Sequence, residues 1–213
     1  AMQPYRADLQ LIPNTVDLSR YPFRQRVSPT PNLIWLRAFH ELYNPCLAVE
    51  LLHLLQRNFP AARLIMVGPE KGDGSLQRTM QRAAELGLAD AVEFPGGVSK
   101  AEVPTWLNRG DVFINTTNVD NTPISVIEAL ACGLCVVSTN VGGLPFLLED
   151  GDDALLVPPD DPAAMASAVR RILDEPGLAE SLSRNARRKA EQFDWAHILP
   201  QWESLLAEVA KHA

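Results

Sequence analysis

The chain has 213 residues, 46% of them hydrophobic and 21% charged, which suits one globular domain with a single core and excludes a disordered or fibrous chain. A net charge of −7 argues against a general nucleic-acid or anionic-membrane surface, so a phosphate ligand would have to be held by local groups. No apolar run approaches the ~18 to 20 residues that span a bilayer, no signal peptide is visible, and three cysteines make no disulfide framework. The chain therefore reads as a soluble cytoplasmic protein.

In chain order, residues 1–32 carry five prolines and little periodicity, and are expected to be an extended segment packing on the domain that follows. Leu33 to Arg37 reads as a buried strand, and Asn44-Pro45 opens a helix with an apolar face at Leu47, Leu51, Leu54 and Leu55. Ala62 to Val67 is the next strand. A Gly-rich loop, Gly68 to Gly74, leads into a helix from Ser75 to Leu86 that Gly87 stops. Ala91 to Phe94 is a third strand and Lys100 to Arg109 a short helix. Beyond the central stretch described next, Ala154 to Val157 is a sixth strand, with helices near 162–173, 178–192 and 195–211. This alternation predicts an α/β fold: a Rossmann-like, doubly wound parallel sheet of about six strands with helices on both faces, over residues 33–213.

The central stretch runs from Asp111 to Pro159. A strand (Asp111 to Asn115) leads through a polar loop to Thr122-Pro123 and an apolar-periodic helix ending at Gly133; a second strand, Leu134 to Ser138, follows at once. Thr122 suits the N-cap, Pro123 the first helical position and Gly133 the C′ position. The helix N-terminus offers unpaired N–H groups and a positive dipole end, a natural anion site at Thr122, Pro123, Ile124 and Ser125. Pro123 cannot donate, so the donors there would be the amides of Ile124 and Ser125. Asp120 precedes this opening and Glu128 lies within the helix, seven residues separating them. A Glu between apolar neighbours on a bracketed helix needs a partner, and beside an anion site it can accept hydroxyl hydrogen bonds. An anion site next to a hydroxyl reader points to a nucleotide or a sugar phosphate.

These motifs resemble the donor-binding half of the retaining GT-B glycosyltransferases, the group-1 (family 4) enzymes. The resemblance rests on Asp120 and Glu128-Ala129 with the helix opening between them, then Gly133, Val136-Val137, Gly142-Gly143-Leu144-Pro145 and Ala154-Leu155-Leu156-Val157-Pro158-Pro159, and it covers nearly the whole chain. It implies one half of a GT-B fold, with the acceptor-binding domain absent from this chain. It also implies a donor nucleotide sugar, no bound metal or other cofactor, and an acceptor glycan, lipid or small molecule met through the other half. Peripheral membrane association of the full enzyme is compatible with it. Residue by residue, Arg37 would meet the donor pyrophosphate and Asp120 the transferred sugar, both as catalytic groups. Glu128 would bind the ribose hydroxyls, Gly97 and Val98 would run along the base, and Gly142 and Gly143 would line the sugar pocket. Phe193-Asp194-Trp195 also resembles the family, whose last helix crosses towards the other domain. The sequence departs from the pattern: Thr15 and Asn121 each replace a Gly, Asp120 replaces a Glu, Phe146 stands where an acid is common, and Leu42-Tyr43-Asn44 occupies the place of a second phosphate-binding Lys. The Asp120 change and the missing Lys favour a rival reading as a degenerate nucleotide-sugar-binding or assembly module.

Other signals read as structural. Cys132-x-x-Cys135 has metal or redox spacing but no second pair, and Cys135 begins an apolar strand. Glu149 to Asp153 is an acidic turn with poor cation-cage spacing. Arg184, Arg187, Arg188 and Lys189 read as a solvated helix face, and His40 as a neighbour of the pocket.

Overall fold

In the computed structural model, residue 10 and residues 12–211 are described; the other residues of the predicted extended N-terminal segment, 1–9 and 11, lie outside them. Among the described residues six strands form one parallel sheet: β1 (Asn32–Leu36), β2 (Arg63–Val67), β3 (Val92–Gly96), β4 (Val112–Asn115), β5 (Cys135–Thr139) and β6 (Ala154–Val157). Their spatial order is β3-β2-β1-β4-β5-β6. The chain thus builds outward from β1 in one direction and from β4 in the other, leaving a topological switch between β1 and β4.

Strand side chains alternate between two buried layers. In β1, Leu33 and Trp35 join one core with α1 (Pro45–Gln56), α2 (Ser75–Glu85) and α6 (Pro162–Asp174). Ile34 joins the other core, with α3 (Val103–Leu107), α4 (Ile124–Ala131), α5 (Leu144–Leu147) and α7 (Leu178–Glu191). The same alternation in β5 sends Cys135 and Val137 one way and Val136 the other. Burial on both faces is what the near-continuous apolar strands demand, so the doubly wound α/β fold expected from the sequence is the one observed. α8 (Trp195–Lys211) closes the chain.

Three local expectations need correction. Thr122 is not the N-cap of α4. Pro123 takes that place with extended ψ of 120°, so the helix begins one residue later, at Ile124, and no side chain caps it. The helix expected from Lys100 begins at Val103 instead, because Ser99 donates through N and Oγ to Glu102 Oε2 (3.0 and 2.6 Å) and ties residues 99–102 into a turn. The basic face of α7 is only partly solvated: Arg187 donates to the Ala131 (2.8 Å) and Tyr21 (3.1 Å) carbonyls, and Lys189 pairs with buried Asp153.

The segment before β1 is tied to the rest by polar contacts. Val16 bridges to Asp194, the Leu18 amide donates to Asp194 Oδ2 (3.1 Å), and Arg26 lies 1% exposed beneath the C-terminal end of α4. Arg26 donates to the Cys132 and Gly110 carbonyls and faces Asp111, and burial pulls its guanidinium down to about 10. Asp111, which burial alone would raise, is held below the ordinary carboxylate range by the Thr30 hydroxyl and amide and by Arg24.

Candidate functional site

At the carboxyl end of β1, Arg37 turns into the switch point. Its amide still bonds the Val67 carbonyl at 3.0 Å, and the neighbouring turn must be glycine: a Cβ on Gly68 would stand 1.7 Å from the Arg37 carbonyl oxygen. The guanidinium lies 4.2 Å over the Tyr43 ring and forms an ion pair with Asp120. Tyr43 occupies the region where the second Lys was missed. It is positioned by a short 3-10 turn, Glu41–Tyr43, whose carbonyls accept from Asn118 N (to Leu42, 2.8 Å) and Thr116 Oγ1 (to Tyr43, 2.7 Å) beyond the end of β4. The tip of β1 and the loop after β4 are thereby locked together. His40 serves this turn, its Nδ1 accepting from Leu42 N at 3.2 Å, with Nε2 3.9 Å from Asp73.

Asp120 and Arg37, read separately as catalytic groups, are thus each other's partner. The other Asp120 oxygen accepts from Asn121 N at 2.8 Å. Its backbone is pinned by Gly142 and Gly143: the Gly143 amide donates to the Asp120 carbonyl at 2.8 Å. A Cβ on Gly142 would fall 2.0 Å from that oxygen, and one on Gly143 2.1 Å from the Asn121 carbonyl oxygen. Gly142 also has φ of 56°, in the left-handed region that disfavours side chains. The pair therefore shapes the Asp120 loop by close backbone approach.

At the opening of α4, the amides of Ile124 and Ser125 make no hydrogen bond among the described residues; Val126 N is the first to bond back, to Pro123 O at 3.1 Å. Ser125 is 6% exposed and its hydroxyl has no partner among the described residues. Asn14 Nδ2 donates to the Thr122 carbonyl at 3.1 Å, fixing the residue before the helix. Unpaired amides, a buried unpaired hydroxyl and the positive end of a helix dipole together form an acceptor for an anion.

Glu128, one turn further along α4, is 2% exposed. Its Oε1 accepts from the Tyr21 hydroxyl and from Lys100 Nζ, which stand in for the water the carboxylate has lost. Burial, then the hydrogen bond to Glu128, raises the Tyr21 phenol above its ordinary range. Gly97 and Val98 lie in the loop from β3 towards Lys100; the Gly97 α-carbon faces Pro69, where a Cβ would come within 3.3 Å of the proline ring. Tyr21, Tyr43 and Lys100 were not foreseen as site residues. The one signal for Tyr21 and Lys100 was that a Glu inside an apolar helix must have a donor somewhere.

The cysteine pair divides between the two cores, Cys132 in one and Cys135 in the other, on opposite faces of the sheet. Burial pushes both thiols up to about 12, so they are inert packing groups rather than a shared ligand pair. The acidic turn is structural too: Asp150 Oδ1 accepts from Leu156 N (2.8 Å) and Asp153 Oδ1 from Glu149 N (2.9 Å). Among the described residues no helix is long and apolar enough to cross a membrane.

The model of the family described as "Glycosyl transferases group 1" matches residues 24–189. Among curated proteins, a D-inositol 3-phosphate glycosyltransferase of Streptomyces bingchenggensis is 33% identical over 148 residues, 68% of this chain and 32% of that protein. A glycogen synthase of Mycobacterium tuberculosis is 29% identical over 202 residues, 92% of this chain and 47% of that protein. The chain spans about a third to a half of the length of these relatives. Among solved structures, Anabaena Alr3699/HepE in complex with UDP shares the fold with a TM-score of 0.86 at 22% identity, over 95% of this chain and 58% of that one. With the matched region covering every strand from β1 to β6, the chain belongs to the group 1 glycosyl transferases.

Proposed function

We propose that this chain is the nucleotide-sugar donor domain of a retaining glycosyltransferase, which moves a sugar from a nucleoside diphosphate sugar to an acceptor hydroxyl. One observation carries the reading: Arg37, at the end of β1 beside the switch, pairs with Asp120 in the loop that leads from β4 into α4, and α4 has an opening unpaired among the described residues (Ile124, Ser125) and a buried carboxylate (Glu128). In open α/β sheets ligands bind outside the carboxyl ends of strands at such a switch. A diphosphate would lie between Arg37 and the opening of α4, and ribose hydroxyls would donate to Glu128. As the glycosidic bond breaks, negative charge grows on the pyrophosphate, and those preorganised donors offset it without reorganising. Gly97 and Val98 would border the base, and Gly142 and Gly143 the sugar. No step in this scheme calls for a metal or other cofactor. The UDP bound by Alr3699/HepE makes uridine diphosphate the first ligand to try.

Asp120 departs from a simple sugar reader. It is the counter-ion of Arg37, and we read donor binding as an exchange in which the diphosphate takes over Arg37 and frees Asp120 towards the sugar. Transfer also needs an acceptor hydroxyl held ~3 to 3.5 Å from the reacting carbon, which the remaining half of such an enzyme would supply. α8 offers a face for that half: Trp195, Leu199, Trp202, Leu206 and Val209 recur at helical spacing and are all exposed. Three unpaired cysteines suit a reducing, cytoplasmic compartment.

A second reading is the degenerate nucleotide-sugar-binding or assembly module of the same fold, in the form that holds no donor; it is favoured by the closed Arg37–Asp120 pair and by Tyr43 in the place of the second Lys. Titration of nucleoside and nucleoside diphosphate into Arg37→Ala and Glu128→Ala variants decides between them. The donor reading requires Arg37 to matter to the diphosphate alone and Glu128 to both ligands.

A further inference from the structure

Glu128 is more constrained than a hydroxyl reader needs to be. Its hydrogen bonds with described side chains fall on Oε1, where a phenol from the segment before β1 and an ammonium from the turn after β3 converge. A carboxylate oxygen has two lone pairs, so two donors saturate it. Neither donor is loosely held. Tyr21 is 4% exposed; its amide bonds the Leu18 carbonyl at 3.1 Å and its own carbonyl accepts from Arg187 at 3.1 Å. Lys100 is held through its backbone, on the turn clamped by Ser99 and Glu102, while its side chain stays 58% exposed. The two contacts fix the carboxylate rotamer, and the ammonium keeps a 2%-exposed carboxylate supplied with a counter-charge.

We infer that Tyr21 and Lys100 are positioning residues of the hydroxyl-reading subsite: they hold Glu128 through Oε1 and leave Oε2 to accept both vicinal hydroxyls of a ribose. The inference rests on the donor reading above and extends the site to the segment before β1. Specificity for a ribose over a deoxygenated sugar then depends on a tyrosine 107 positions from the carboxylate it orients. Burial and the Glu128 carboxylate keep that phenol protonated, so it remains a donor throughout the neutral range. Lys100, 58% exposed and with two further N–H donors, is the one of the pair better placed to meet a bound ligand as well.

The test is calorimetric titration of uridine diphosphate and 2′,3′-dideoxyuridine diphosphate into the wild-type chain and into Tyr21→Phe and Lys100→Met, with melting curves to verify folding. The wild type is expected to prefer the ribonucleotide by about tenfold or more, the size of charge-assisted hydrogen bonds to a carboxylate. Each variant should cut that ratio about three- to tenfold while binding the dideoxy nucleotide as before. A merely structural role would weaken both nucleotides alike and leave the ratio intact, which overturns the inference and spares the donor reading; a ratio lowered by one variant alone removes the other residue from it. A wild type with no ribonucleotide preference sinks the assignment of Glu128 itself and this inference with it. Lys100→Met alters an exposed side chain, so the question stands even if Tyr21→Phe fails to fold.

Discussion

Replacing Asp120 by Asn separates the two partners at the switch point. The Asp120 carboxylate occupies the Arg37 guanidinium, with the Arg37 and Asp120 side chains only 20% and 11% exposed. A diphosphate must therefore displace a partly buried charged hydrogen bond, a contact type worth about 1.5 to 3 kcal/mol. Asn keeps an oxygen for the Asn121 amide, so the loop geometry survives, and the Tyr43 ring 4.2 Å from the guanidinium holds Arg37 in place by about 0.5 to 2 kcal/mol. Part of the released contact is lost again to the neutral amide, leaving about 1 to 2 kcal/mol, or roughly 5- to 30-fold tighter binding of a nucleoside diphosphate. For the corresponding nucleotide sugar the gain should be smaller, because the variant also loses the carboxylate proposed to meet the sugar. Isothermal titration of both ligands into wild type and Asp120→Asn reads the two numbers directly. Weaker diphosphate binding by the variant would refute the exchange, and would mean that Asp120 orients Arg37 for the phosphate rather than competing with it.

Arg37→Ala should weaken nucleoside diphosphate more than nucleoside, by about 1.5 to 3 kcal/mol, whereas Glu128→Ala should weaken both similarly; equal losses on Arg37→Ala would place the phosphates elsewhere. Asp111 carries a pH signature. Against the effect of burial, Thr30 and Arg24 hold its folded-state pKa below the ordinary carboxylate range, so its contribution to stability is full above the ordinary carboxylate value and is lost as pH falls through the folded one. Urea melts of wild type and Asp111→Asn should therefore differ most near pH 7 and converge in strong acid; a gap that persists at low pH would mean that the loss is one of packing.

The fold was legible because β-strand burial on both faces leaves a plain mark: runs such as Val112-Phe113-Ile114 and Cys135-Val136-Val137 admit few other readings. Glu128 was legible for the opposite reason, since a charge inside an apolar helix demands a purpose. Its partners were not. Tyr21 lies 107 positions away and Lys100 28, and nothing local in a sequence tells which donor will close on a distant carboxylate. The pairing of Arg37 with Asp120, 83 positions apart, was hidden likewise: spacing placed both at one sheet edge without saying that they face each other. The start of α4 was misjudged by one residue because Pro123, whose φ of −68° suits a helix, keeps an extended ψ and stays outside it.

The central claim, that this switch point accepts a nucleoside diphosphate, is tested most directly by melting the chain with millimolar UDP, GDP or ADP in the presence of EDTA. At ligand ten times its dissociation constant, linkage gives about 1.4 kcal/mol of stabilisation. For a chain of this size that is a rise of roughly 3 to 6 °C with at least one of the three nucleotides. An unchanged melting temperature with all three would contradict the account and leave the degenerate module standing.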